Sequence, residues 1–353
     1  MAFRLAQSKE ARVFILDRSR PGSGTTSASF AWANANEKTP RNYFDLNRAG
    51  LEEHYRLREE LRGGIGTACL HPGGNLEWAG AEEAFERLER RVERLRSWGY
   101  AAEWRKASWA IETLEPNVAF PSPETPVAFF RDEAWIDAPR LAETLVEHAR
   151  EKGAEMRFGV TVQEIEAAGG CVSALRIDRG ERFPCDAVVN AAGPDADRIA
   201  ALLGRTLPLR PSKGLLVGLA VEDAPVGRLL HSPHINLRPD SPGRVLAHHG
   251  SMDRRLESAA DKDSLSQELL ERARRVVPAL GGAEIEDARV GVRPMPEDGL
   301  PCVGAVQELS GYYEAVTHSG VTLGPLLGRL LARAIPTGDV DTLLAPFRPD
   351  RFA

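Results

Sequence analysis

The sequence predicts an α/β chain of two domains: a doubly wound layer of largely parallel strands flanked by helices, and a second, mixed antiparallel sheet. Three observations carry this. The apolar run Val13–Leu16 closes on Asp17 and opens into the loop Pro21-Gly22-Ser23-Gly24-Thr25-Thr26-Ser27. The run Ala187–Asn190 passes through Ala191-Ala192-Gly193-Pro194 into a helix from about Asp195 to Leu203. Strand, small-residue turn and helix in that order is the arrangement of a nucleotide-binding α/β sheet. From Leu215 to Leu246 the pattern changes to short strands separated by turns.

Composition agrees and excludes several classes. The chain has 353 residues, 42% apolar and 27% charged, which is ordinary for a folded protein of about two domains. Lys and Arg number 45 against 51 Asp and Glu, a net charge of −6, and a nucleic-acid carrier would show a basic excess instead. No apolar run approaches the ~18 residues of a membrane span. The start, Met-Ala-Phe-Arg-Leu-Ala-Gln, lacks the basic and apolar blocks of a secretory signal. Cys69, Cys171, Cys185 and Cys302 are scattered and form no C-x-x-C, so reduced thiols in a cytoplasmic protein are expected, without disulfide or zinc.

The elements follow in order. Ala2 to about Lys9 reads as helix, and Val13–Leu16 as strand. The Gly/Ser/Thr loop after Asp17 offers backbone N–H groups and hydroxyls to a ligand. An apolar segment resumes from Ser29 to Ala35. Residues 82–98 form a charged helix with Phe85, Leu88, Val92 and Leu95 on one face. Asp137 is a good N-cap for a helix with Pro139 in its first turn, buried stripe Leu141, Leu145, Val146 and Ala149, and Gly153 past its end. Strands are expected at Glu155–Phe158, Thr161–Ile165, Val172–Ile177 and Ala187–Asn190. Pro239-Asp240-Ser241-Pro242-Gly243 reads as a hairpin loop. A helix from about Leu265 to Val277, a strand Tyr312–Val316 and an apolar helix ending near Ile335 complete the chain.

Taken together, these segments resemble the FAD-dependent amine and amino-acid oxidoreductases of the D-amino-acid oxidase superfamily. The matching segments are Val13–Ser29, Trp135-Ile136-Asp137, Val189-Asn190-Ala191-Ala192-Gly193-Pro194, Gly291-Val292-Arg293-Pro294 with Asp298-Gly299-Leu300-Pro301, and Ser319-Gly320-Val321-Thr322-Leu323. The resemblance implies an FAD-binding, doubly wound (Rossmann-like) domain from residues 1–45, 137–212 and 286–353. It also implies a mixed antiparallel-sheet substrate domain from 46–136 and 213–285.

It further implies a site. Asp17, with Arg18 beside it, is expected at the adenosine ribose; an acid at a strand end suits the ribose hydroxyls. Gly24, Thr25, Thr26 and Ser27 are expected near the pyrophosphate and ribityl chain, Val162 near adenine, and Ala192 and Gly193 where backbone approaches FAD. Gly320, Val321 and Thr322 open the last helix, whose N–H groups and positive dipole end suit the flavin edge that gains charge on reduction. Arg293 is the candidate substrate binder, its planar fork suiting a carboxylate, with pairing to an acid or carbonyl as the structural alternative. His318 is the candidate to polarise substrate or flavin. Lys213 is a weaker candidate. His231, His234, His248 and His249 cluster without an acidic ligand pattern, so substrate-domain surface or cleft lining is expected rather than a metal. Cys302 lacks the context of covalent attachment, and noncovalent FAD is expected. The implied reaction is oxidation of a C–N bond by hydride transfer to flavin N5, followed by imine hydrolysis. Implied partners are a small amine or amino acid and an electron acceptor the sequence leaves open; homo-oligomerisation is left open too.

One family element is absent. The fingerprint G-x-G-x-x-G stands about 20 residues before the ribose acid, yet Asp17 is only the 17th residue of the chain. Residues 2–9 read as the end of the helix after that loop, so the first strand and glycine turn are expected upstream of Met1 or lost. A noncatalytic or partner-dependent remnant is therefore a second reading, and a relative acting on a hydroxy acid a third.

Overall fold

The computed structural model describes residues 1–62, 69–258 and 260–352. Its parallel layer is in two pieces. Phe14–Asp17 pairs in parallel with Glu155–Phe158, and Val188–Asn190 pairs in parallel with Tyr312–Val316, which carries Cys302–Ala305 antiparallel on its other side. No ladder among the described residues joins the pieces. An antiparallel meander, Val162–Ala168, Cys171–Ile177 and Arg182–Pro184, stands beside them. The strand expectations at Glu155–Phe158 and Tyr312–Val316 match residue for residue.

The helix Ala138–Glu151 forms as its signals require. Asp137 accepts the Arg140 N–H at 3.2 Å, Pro139 lies in the first turn, and Gly153 takes φ +93° beyond the end. Helix Glu82–Ser97 buries Leu88, Val92 and Leu95 and turns its Glu/Arg face outward.

The second sheet has eight strands, in the order Glu284–Pro296, Leu209–Ala220, Arg244–His248, Asn236–Pro239, Leu229–His231, Asn75–Glu77, Pro126–Phe130 and Glu103–Lys106. Here one reading needs correction. The short-strand pattern expected from Leu215 is in fact a 12-residue strand starting at Leu209, paired antiparallel along its length with the 13-residue Glu284–Pro296. Gly214 and Gly218 interrupt the apolar alternation and hide its length. Asn236–Pro239 and Arg244–His248 pair around the expected hairpin loop. Helix Asp261–Val276 covers one face of the sheet, burying Leu265, Leu269, Leu270 and Ala273 in the largest core cluster.

Two helices set the position of the site. Arg41–Glu60 packs along the last helix, Gly320–Thr337, and Glu53 between them is 1% exposed and accepts from Arg329 at 2.9 Å. The last helix contains Pro325. Proline has no N–H, so the Val321 carbonyl loses its helical donor four residues on. His54 supplies one: its Nε2 stands 2.8 Å from that oxygen, and burial lowers the ring's pKa. Since a carbonyl only accepts, the neutral ring carries its proton on Nε2.

Replacing His54 with Ala would strand a buried carbonyl at the first turn of this helix. We expect a stability loss of about 1–3 kcal/mol, read as a lower denaturant midpoint at unchanged slope. Because His54 protonates less readily in the folded chain, its contribution is lost as pH falls below the unfolded value of 6.5, so H54A should also weaken the acid-side decline.

Candidate active site

The strand ends and the last helix define two neighbouring clusters. The first lies at the C-terminal ends of the parallel strands, the usual ligand side of such sheets. Asp17 is exposed there and caps Ser19 N–H at 2.8 Å. Arg18 pairs with Asp195 at 2.8 Å, which brings the first strand end against the Gly193 turn. The Val162 carbonyl accepts from Arg198 at 3.4 Å, bringing the meander to the same edge. Gly193 has φ +60°, and a Cβ there would meet nothing within 4 Å, so the backbone stands open toward a ligand. Ala192 is exposed beside it.

The second cluster surrounds a cavity of about 720 Å³ between the eight-stranded sheet and the start of the last helix. Thr25, Arg293, His318, Val321 and Thr322 line it, as do His231, His248 and His249. Asp17, Arg18, Val162, Ala192 and Gly193 belong to the strand-end cluster. Gly24, Thr26, Ser27 and Gly320 adjoin the cavity without lining it. His234 lines an adjoining hollow of about 740 Å³ that shares Trp78, Pro233, His249 and Ser251 with the cavity.

The loop from Pro21 to Ser29 joins the clusters and is clamped from both sides. A Cβ on Gly22, at φ +74°, would lie 2.7 Å from Pro139 Cα. On the sheet side the Thr25 hydroxyl donates to the Val292 carbonyl at 2.7 Å, and the Ser27 hydroxyl to the Gly24 carbonyl at 2.9 Å.

The last helix presents its first amides to the cavity. The Ser319 side chain does not cap it; its hydroxyl is bonded to the Tyr43 phenol at 2.7 Å. The N–H groups of Gly320, Val321 and Thr322 therefore have no partner within the helix, and Gly320 carries open space where a side chain would project. Buried Thr322 bonds through its hydroxyl to the Trp32 carbonyl and the Asn34 N–H, both at 3.4 Å. Nearby, the fully buried amide of Asn36 has no partner on either polar atom among the described residues.

Arg293 is pre-engaged. One terminal nitrogen donates to Asp253 at 2.7 Å and the other to the Lys213 carbonyl at 2.9 Å. Gly214 makes this possible, since a Cβ there would lie 2.6 Å from the guanidinium carbon. Asp253 also bonds His248 at 3.0 Å and accepts the Leu215 N–H at 2.8 Å. It is held at a pKa of about 2: burial opposes ionisation, but the hydrogen bond and charge of His248, Arg293 and the Leu215 amide outweigh it. Lys213 turns its ammonium to the Glu257 carbonyl at 3.1 Å. His318 opens onto the cavity and makes no hydrogen bond among the described residues; desolvation, with Lys38 and Arg293 nearby, pushes its pKa down to about 4. The histidine cluster is bonded internally: His231 to Asn75 at 2.7 Å, and His249 to Ser251 at 2.7 Å. Among the described residues no group of three or more potential ligands could hold a metal.

The back wall was not foreseen. Glu133 is fully buried and accepts from the Trp32 indole at 2.7 Å and the Tyr100 phenol at 2.9 Å, with no ion pair to a cation among the described residues. Trp32 lines the cavity and packs on His231, ring centres 4.1 Å apart. Desolvation raises the Glu133 pKa to about 8, against the hydrogen bonds of Tyr100, Trp32 and Asn75.

This geometry defines a class before any comparison: a nucleotide-binding α/β protein whose second site is a buried cavity facing a helix N-terminus and a held arginine. The chain belongs to the DAO family, FAD dependent oxidoreductases, which matches residues 1–334. It is similar to the glycine oxidase of Geobacillus kaustophilus, 29% identical over 98% of this chain and 92% of that one. It is also similar to hydrogen cyanide synthase subunit HcnC of Pseudomonas protegens, 25% identical over 100% of this chain and 93% of the relative. The crystal structure of the Geobacillus kaustophilus glycine oxidase superposes with a TM-score of 0.86 at 27% identity, covering 100% of this chain and 95% of that one. The protein is thus an FAD-dependent oxidoreductase of the D-amino-acid oxidase superfamily. Among the described residues no helix is long and apolar enough to cross a membrane.

Glu133 sets a pH dependence. As pH rises, the unfolded chain releases this proton near 4.5 while the folded chain keeps it to about 8, so stability from this group falls between those values. Replacing Glu133 with Gln should flatten that alkaline-going loss, measured as unfolding free energy at a series of pH values; an unchanged profile would show Glu133 ionised in the fold.

Proposed function

We propose that the protein oxidises the C–N bond of an amino acid or secondary amine. The observation that carries this reading is the convergence of Arg293, His318 and the open amides of Val321 and Thr322 on one cavity. The relatives that match nearly end to end include a glycine oxidase, which supports an amino-acid substrate.

The residues present fit noncovalent FAD. Exposed Asp17, the open backbone at Gly193 and the clamped loop at Thr25 would hold its nucleotide and linking portions, and the amides of Gly320, Val321 and Thr322 its flavin. No cysteine lines the cavity among the described residues. Cys302 is buried elsewhere and donates to Glu314 at 3.1 Å, with burial and that carboxylate pushing its pKa far up. FAD, when bound, supplies a two-electron acceptor for a hydride.

The chain's own groups bind and orient. Arg293 anchors the substrate carboxylate through its Nε–H, which has no partner among the described residues, while Asp253 and the Lys213 carbonyl fix its plane. His318 remains neutral at neutral pH and offers one ring N–H and one lone pair to the substrate amine. The Trp32–His231 wall, backed by Glu133, excludes water from one side.

Anaerobic addition of glycine, sarcosine or D-amino acids to the FAD-loaded protein should bleach its visible flavin band and release ammonia or amine. Reduction by 2-hydroxy acids alone would favour the hydroxy-acid reading. A protein that stays colourless with added FAD would favour the noncatalytic or partner-dependent reading.

Arg293→Ala should lower kcat/KM about 10- to 100-fold, chiefly through KM, the scale of one charged hydrogen bond. FAD content should be unchanged. Arg293→Lys should restore little, since an ammonium cannot reproduce the held plane.

A further inference from the structure

The charge balance of the cavity points past a simple amino acid. Every acidic side chain that lines it is already matched. Glu37 and Glu77 both pair with Arg91, the first at 2.8 Å, and Asp253 is shared between Arg293 and His248. The pairing with Asp253 also cancels much of the Arg293 charge, so Arg293 alone attracts an anion weakly. Two further cations on the lining, Lys38 and Arg254, form no ion pair among the described residues, and of the two Lys38 has Glu37 and Glu133 close enough to act on its charge. Lys38 lies at the other end, its ammonium 5.9 Å from the Tyr43 ring centre and beside the start of the last helix. Arg254 follows Asp253 directly in the chain, at the end of the short helix Gly250–Asp253, and stands exposed on the cavity rim near His249.

The lining therefore carries two guanidiniums of different standing, Arg293 paired with Asp253 and Arg254 with no ion pair among the described residues. Asp253 neutralises the inner one and leaves the outer one free. We infer that Arg254 selects substrates with a second anionic group: an amino acid whose α-carboxylate meets Arg293 and whose distal carboxylate reaches Arg254 at the rim. This rests on the amine-oxidation reading for the chemistry, though the binding preference stands on the charge layout alone. A guanidinium and a carboxylate form two parallel hydrogen bonds, which makes Arg254 sensitive to the length of the substrate and not only to its charge.

The test is calorimetric titration of the FAD-loaded protein with acetate, propionate, malonate, succinate and glutarate at low ionic strength, for wild type and Arg254→Gln. These ligands are not amines, so the result does not depend on turnover. At least one dicarboxylate should bind wild type tenfold or more tighter than the monocarboxylates, and Arg254→Gln should erase that difference while leaving monocarboxylate binding within about twofold. Arg254→Lys should keep part of the preference with a weaker dependence on chain length. Equal binding of both ligand classes to wild type, or a preference that survives in Arg254→Gln, would overturn the inference. Bleaching by neutral and acidic amino acids is measured in parallel. Reduction by neither sinks the amine reading without touching the titration, whereas reduction by both with equal kcat/KM, unaltered by Arg254→Gln, sinks the selectivity and leaves the amine reading standing.

Discussion

The site depends on holding the first turn of the final helix still. That turn gives up its natural support, because Pro325 cannot donate to Val321 and the Ser319 hydroxyl is bonded to Tyr43 rather than to the helix. Three contacts from elsewhere replace it: His54 on the Val321 carbonyl, Tyr43 on Ser319, and the Trp32–Asn34 segment on Thr322. Two of the three come from the single helix Arg41–Glu60. The amides that face the cavity are thus fixed by side chains far away in sequence, and their dipole points at whatever the cavity holds. Preorganised donors of this kind need no rearrangement when charge develops before them.

The same segment ties this helix to the substrate wall. Trp32 gives its carbonyl to Thr322 and its indole to Glu133, so one residue is held by the last helix on one side and by a buried carboxyl on the other. A neutral carboxyl suits this role. It accepts the Trp32 and Tyr100 hydrogen bonds without bringing a buried charge next to Glu77. An anion at that point would oppose binding of an anionic substrate; a protonated one does not.

How much of this the sequence discloses depends on whether a signal is local. The helix Ala138–Glu151 is legible because its cap, proline and terminator stand next to it. Arg293, His318, Thr25, Val321 and Thr322 are legible because each sits in a short motif. The long ribbon Leu209–Ala220 with Glu284–Pro296 is not, because its register is set by a partner distant in the chain and its glycines mimic turns. His54, Glu133 and Asp253 are missed for the same reason. Glu133 sits in Arg131-Asp132-Glu133, which reads as a solvated turn, and only the fold buries it. His54 did leave a trace: Asn47, Gly50, Glu53 and His54 fall on the apolar face of Arg41–Glu60, and polar groups on a buried face need partners.

The two clusters also constrain each other through the loop from Pro21 to Ser29. Its backbone is pressed against Pro139 at Gly22, fastened to Val292 at Thr25, and held at Ser27 by Arg289, 2.5 Å from its carbonyl. Arg289, Val292 and Arg293 lie on one strand, Glu284–Pro296. The strand that carries Arg293 therefore also anchors the loop that runs toward the strand-end cluster. A shift of that strand would move both together, so the distance between the strand-end cluster and Arg293 is set by backbone pairing along the ribbon rather than by any ligand. The long ribbon thus serves two ends: one half packs the core under helix Asp261–Val276, and the other fixes the spacing between the strand-end cluster and the cavity that Arg293 lines.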